Sequence, residues 1–157
     1  MSRRLVLALG NDLLGDDAVG LIAARQLKES LPPGVEMEET ATGGLDLLDF
    51  LEGCDKALLL DAVITGRHPP GTVVELTRED FGGKDLPSPH YAGLPDVLAL
   101  AEHLRVPFPD DLRILAMEVE RPCELRTDLS PAVRRALPGY VDRARQVIRD
   151  WAAPSRR

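Results

Sequence analysis

Hydrophobic positions along the chain follow two periods, and their alternation sets the order of elements. Leu5-Val6-Leu7-Ala8-Leu9 is a continuous apolar run closed by Gly10-Asn11, the pattern of a strand buried on both faces. Val19, Ile22, Ala23, Leu27 and Leu31 then recur at helical spacing until Pro32-Pro33-Gly34 stops the helix. Val35 to Thr40 alternates apolar and acidic residues, which predicts a strand near the sheet edge. Leu45, Leu48 and Leu51 give a short helix closed by Gly53. Ala57-Leu58-Leu59-Leu60 predicts a second fully buried strand, with Asp61 at its C-terminal end. Another strand, Thr72 to Leu76, follows the turn signal Pro69-Pro70-Gly71. Leu94, Val97, Leu98, Ala101 and Leu104 predict a helix that tolerates Pro95 in its first turn. Leu112 to Val119 is the last strand. Val133 through Trp151 marks a long amphipathic helix that Pro138-Gly139 should kink or split.

Strands alternating with helices predict an α/β fold: a three-layer sandwich with a twisted, mainly parallel sheet and helices on both faces. The connection from Asp61 to Thr72 is too short for a crossover helix, so the Thr72 strand should run antiparallel to its neighbour. No repeat or low-complexity linker interrupts residues 1–157, which are read as one domain.

Composition narrows the function. Only 4% of residues are aromatic, so the core must be aliphatic. A net charge of −7, with no basic run beyond Arg156-Arg157, lacks the clustered cations that displace counterions from phosphates; nucleic acid is not an expected partner. The short apolar segment Leu5–Leu9 is too brief for a signal-peptide core or a membrane span, which predicts a cytoplasmic protein. Cys54 and Cys123 form no CxxC pair, in keeping with reduced thiols: the first reads as a small buried hydrophobe, the second as a loop residue.

Candidate chemistry gathers at the C-terminal ends of the buried strands, where open parallel sheets bind ligands. The segment Gly10-Asn11-Asp12-Leu13-Leu14-Gly15-Asp16-Asp17 is neither GxGxxG nor a phosphate-binding loop, and its acids would repel phosphate. Asp16 is placed to cap the following helix. Asp17 is either a first-turn acid favoured by the helix dipole or a ligand. Asp61, directly after four apolar residues, is desolvated unless it meets a cation, a donor or water, and reads as a site residue or a loop cap. His90, within Pro87-Ser88-Pro89-His90-Tyr91, is either packed or exposed, or belongs to a site. His68 and His103 read as solvent-facing. Two carboxylates and one imidazole would suit zinc or nickel better than magnesium. From the residues alone this is a metal-capable cleft, not a reaction.

Three segments together, Leu9-Gly10-Asn11 with Leu13-Leu14-Gly15-Asp16-Asp17-Ala18-Val19-Gly20, Leu60-Asp61-Ala62-Val63, and Ser88-Pro89-His90, resemble the hydrogenase maturation proteases. The likeness continues through Thr42-Gly43-Gly44-Leu45-Asp46, Gly93-Leu94-Pro95-Asp96 and Leu129-Ser130-Pro131. It implies a metal-recognising endopeptidase that trims the C-terminal extension from the large-subunit precursor of a NiFe hydrogenase after nickel insertion. It also implies Asp17, Asp61 and His90 as metal-binding and catalytic residues, with Asp16 as an additional candidate proton acceptor. Nickel, in the substrate or bound directly, is the expected metal, with zinc or cadmium as other occupants. Two schemes follow from the likeness: the ligands grasp nickel seated in the precursor, or the protease holds its own metal. Many relatives carry Asp-Gly-Gly where this chain has Glu39-Thr40-Ala41, so the groove there is expected to differ. Residues 117–122 are expected to help select the partner. A non-enzymatic nickel-binding assembly module is the rival reading, and a nucleotide-binding domain a more distant one. A monomer is expected, since no heptad or excess apolar face demands a partner.

Overall fold

The computed structural model describes residues 3–12, 14–43, 46–82, 94–120 and 128–152. Five strands form one sheet: β1 (Arg4–Leu9), β2 (Val35–Thr40), β3 (Lys56–Val63), β4 (Val73–Thr77) and β5 (Asp111–Glu118). Four helices accompany them: α1 (Val19–Leu27), α2 (Leu47–Leu51), α3 (Leu94–Leu104) and α4 (Pro131–Ala152). The strand order is β2-β1-β3-β5-β4, parallel except where β4 pairs antiparallel to β5 with Val74 opposite Ala116. The antiparallel edge strand expected from the short Asp61–Thr72 connection is therefore present.

Side-chain alternation along the strands divides the core in two. Val6, Ala8, Leu58, Leu60, Leu115 and Met117 face α1 and α4. Leu5, Leu7, Leu9, Leu59, Ile114 and Ala116 face the opposite way, onto Leu47 and Leu51 of α2. With helices on both faces, the central strands need apolar residues at every position, which is why β1 and β3 read as unbroken runs. At the β2 edge Glu36, Glu38 and Glu39 are exposed, and a charged edge discourages pairing with another chain.

Two elements differ from expectation. Pro138 does not split the last helix: α4 runs continuously over 22 residues with the proline inside. Leu137, Tyr140, Val141 and Ala144, on either side of it, are all buried against the sheet, so packing holds the helix through the missing N–H. Arg134 and Pro138 are both exposed, so the missing bond lies on the solvent side of the helix rather than in the core. Nor does β3 end at Asp61. Pairing with β1 stops at Ala8–Leu60, whereas pairing with β5 continues to Val63–Glu118. Asp61 lies where the first neighbour has already departed.

That departure point is also the topological switch of the sheet. From β1 the chain passes to β2 on one side, then returns across β1 to β3 on the other. Crevices in such sheets open between the strands that part at the switch, outside their C-terminal ends.

Candidate functional site at the sheet switch point

Backbone packing brings the segment after β1 onto this crevice. Gly15–Ala18 forms a 3₁₀ turn leading straight into α1. A methyl group on Gly10 would lie 2.2 Å from the carbonyl oxygen of Asp17, so only glycine lets the turn fold back over the end of β1. At Gly20 a methyl would lie 2.5 Å from the carbonyl oxygen of Leu60 and 3.1 Å from that of Leu9. The start of α1 therefore rests directly on the backbones of both diverging strands, one residue before Asp61. Asp17 is half-buried in this turn, with its amide donating to the Leu14 carbonyl at 3.1 Å.

Asp61 is fully buried, 0% exposed. Its carboxylate accepts the backbone N–H of Ala62 at 2.8 Å, a donor that offsets part of the cost of burying the charge. Tyr140 of α4 reaches the backbone behind it. The tyrosine hydroxyl accepts the Asp61 N–H at 3.1 Å and donates to the Leu115 carbonyl at 2.6 Å. Burial, and next the negative charge of Asp61, push the Tyr140 phenol well above its ordinary pKa, so it stays a protonated donor. Tyr140→Phe would strand both backbone groups and is expected to cost about 1–3 kcal/mol. The check is a lower denaturation midpoint at unchanged slope.

Asp16 corrects the capping expectation. Neither the 3₁₀ turn nor α1 carries a side-chain cap bond; the Asp16 carboxylate instead accepts the backbone N–H of Ser130 at 2.6 Å and its hydroxyl at 2.8 Å. Asp12 and Glu39 are tied together by Arg25 of α1, which donates to Asp12 at 3.0 Å and to Glu39 at 2.7 Å. Hydrogen bonding to Arg25 holds the Asp12 carboxyl below the usual carboxylate range. This exposed triad contributes little stability, but it fixes the loop after β1 against the end of β2.

His90 and Cys123 lie outside the described residues. His68 and His103 are exposed, as the sequence suggested. Among the described residues no three His, Cys, Asp or Glu side chains form a group able to hold a metal. The Asp17 turn and Asp61 thus meet at one crevice through their backbones. Cys54 is buried, its thiol pKa raised chiefly by desolvation, and precedes β3 at the opposite end of the sheet from the crevice. It is an inert core residue.

The sequence reading missed Glu118. It is 2% exposed, accepting the Thr65 N–H at 2.7 Å and also bonding the Thr65 hydroxyl. Met117 and Val119 are buried too, so of the segment expected to select a partner only Glu120 is exposed among the described residues. A charged residue closing an apolar strand gave no hint of its burial. Among the described residues no helix is long and apolar enough to cross a membrane.

Comparison with known proteins gives a consistent set. A family model described as hydrogenase maturation protease matches residues 22–147. The hydrogenase 2 maturation protease of Escherichia coli is 30% identical over 154 residues, covering 94% of this chain and 92% of the relative. The hydrogenase expression/formation protein HupD of Bradyrhizobium diazoefficiens is 30% identical over 160 residues, with 96% and 80% covered. Among solved structures, the hydrogenase maturating endopeptidase HybD of E. coli superposes with a TM-score of 0.79 at 30% identity, covering 94% of this chain and 93% of that one. The NiFe hydrogenase maturation protease HybD of Thermococcus kodakarensis gives 0.71 at 27% identity, with 93% and 99% covered.

Proposed function

Because the chain belongs to the hydrogenase maturation proteases, we propose that it is the endopeptidase that removes the C-terminal extension of a NiFe hydrogenase large-subunit precursor, acting in the cytoplasm after nickel insertion. The observation that carries this reading is the placement of a fully buried Asp61 and the Asp17 turn at one topological switch point. A buried carboxylate at the mouth of such a crevice is placed to meet a cation or a polar group entering it.

Asp17 and Asp61, joined by His90, are the residues we assign to grasp the ion. Two carboxylates and an imidazole suit nickel, and zinc or cadmium equally, better than an all-oxygen ion. In this reading nickel already seated in the precursor is part of the substrate, and cleavage follows only where the three side chains find it. A resident divalent metal, when bound, would supply Lewis acidity at the scissile peptide. The chain's own contribution is orientation: Ala62 N–H and Tyr140 fix Asp61, while Gly10 and Gly20 let the Asp17 turn close down on the strand ends. Covalent catalysis by Cys54 is disfavoured by its burial and raised pKa.

The test is to mix the chain with a nickel-loaded precursor and separate the products. Release of one tail peptide and a large subunit with a single new C-terminus supports the protease. A stable complex holding uncut precursor would instead favour a non-enzymatic assembly module.

A further inference from the structure

Asp16 directs its carboxylate away from its own segment. Both oxygens are occupied by Ser130, 114 residues further along the chain, and Asp16 is only 8% exposed, so water competes little for these bonds. Ser130 immediately precedes α4, and its carbonyl accepts the Arg134 N–H at 2.9 Å, which makes it the cap of a 22-residue helix. The Asp16 charge therefore also sits at the positive end of that helix dipole. Further along the same helix, the Tyr140 hydroxyl holds the backbone N–H of Asp61. One rigid element thus touches the residue beside Asp17 and the backbone of Asp61 itself.

We propose that Asp16 is a positioning residue: its grip on the Ser130 cap makes α4 a strut that sets the spacing between the Asp17 and Asp61 carboxylates. The proposal rests on the reading above of those two acids as the cation-holding pair. It differs from a proton-transfer role in what the residue must be. A strut needs hydrogen bonds, whereas a proton acceptor needs a carboxylate. Asparagine separates the two, because its Oδ1 can accept the Ser130 N–H while its Nδ2 donates to the Ser130 hydroxyl oxygen.

The experiment compares wild type, Asp16→Asn, Asp16→Ala and Ser130→Ala, with Val147→Ala as a destabilised control whose cavity lies in the far half of α4. Two quantities are read on folded protein: kcat and KM for cleavage of nickel-loaded precursor, and amide hydrogen exchange over residues 14–20. Asp16→Ala is expected to lower kcat about 10–100-fold, as loss of an outer-shell support does. It should also speed exchange over residues 14–20 by about tenfold or more. Asp16→Asn should stay within about threefold of wild type in both, about half a decade. Ser130→Ala, which loses the hydroxyl contact but keeps the N–H, should lower kcat by about 3–10-fold, and it carries the test if Asp16→Ala does not fold. Val147→Ala should cleave as wild type does. An Asp16→Asn variant as inactive as Asp16→Ala would overturn the proposal, as would unchanged kcat in Asp16→Ala or Ser130→Ala. A wild-type chain that leaves the precursor uncut overturns the protease reading and this proposal with it; a cleaving wild type beside an inactive Asp16→Asn overturns this proposal alone.

Discussion

Exchanging Asp61 for Asn is expected to leave a folded protein that no longer processes its precursor, with cleavage reduced at least about 100-fold, the upper end of what loss of an outer-shell partner costs a metal site. The asparagine keeps the Oδ1 that accepts the Ala62 N–H, and the Tyr140 contact involves only backbone, so both of these bonds survive the exchange. What disappears is the charge. In a fully buried position a carboxylate interacts strongly with a cation, while a neutral amide binds it poorly. Stability should change by no more than about 1 kcal/mol, since the same substitution also removes a buried charge. His90→Ala is expected to abolish processing equally, again with the fold intact. Thermal unfolding alongside a timed cleavage assay decides the matter. Full processing by either folded variant would sink the assignment of these residues.

Gly20→Ala is expected to damage both stability and activity. The added methyl meets the Leu60 carbonyl oxygen at 2.5 Å, its carbon at 2.9 Å and the Leu9 carbonyl oxygen at 3.1 Å, all backbone of central strands that cannot rotate aside. Overpacking of this kind costs about 1–3 kcal/mol or more, opposed by at most about 1 kcal/mol from the better helix propensity of alanine. A net loss of about 1–3 kcal/mol lowers the Tm by roughly 3–10 °C for a chain of this size. The helix start must retreat by the better part of an ångström, carrying the Asp17 turn with it. Misplacement by about 1 Å costs on the order of 100-fold in rate. Wild-type cleavage by a Gly20→Ala chain would show that the closeness of α1 to the strand ends does not govern the site.

Much of this architecture was legible in local pattern. Unbroken apolar runs identified β1 and β3 because both faces of a central parallel strand are covered, and the acidic alternation of Val35–Thr40 placed β2 at an edge. The short link after Asp61 implied the antiparallel β4. Asp61 itself stood out because a carboxylate after four apolar residues needs a reason to be there. What local pattern could not give were contacts between distant segments. Ser130 is 114 residues from Asp16 and Tyr140 is 79 from Asp61, so no periodicity records either bond. Asp16 therefore read as a cap for the nearest helix, when it grips Ser130, the residue that caps the last one. Pro138 read as a kink or a split because propensity is local, whereas the helix runs on because the buried face of α4 spans it. The burial of Glu118 left no trace in the sequence because its partner, Thr65, lies on another strand's exit loop.

Nickel-gated cleavage is tested most directly by the intact mass of a cognate large-subunit precursor before and after mixing with this protein. Nickel-loaded and nickel-free precursor are run side by side, with Asp61→Ala as the inactive control. A mass loss equal to the C-terminal tail is expected for the nickel-loaded precursor alone, and only with Asp61 intact. Equal trimming of nickel-free precursor, or trimming by the Asp61→Ala chain, would contradict it.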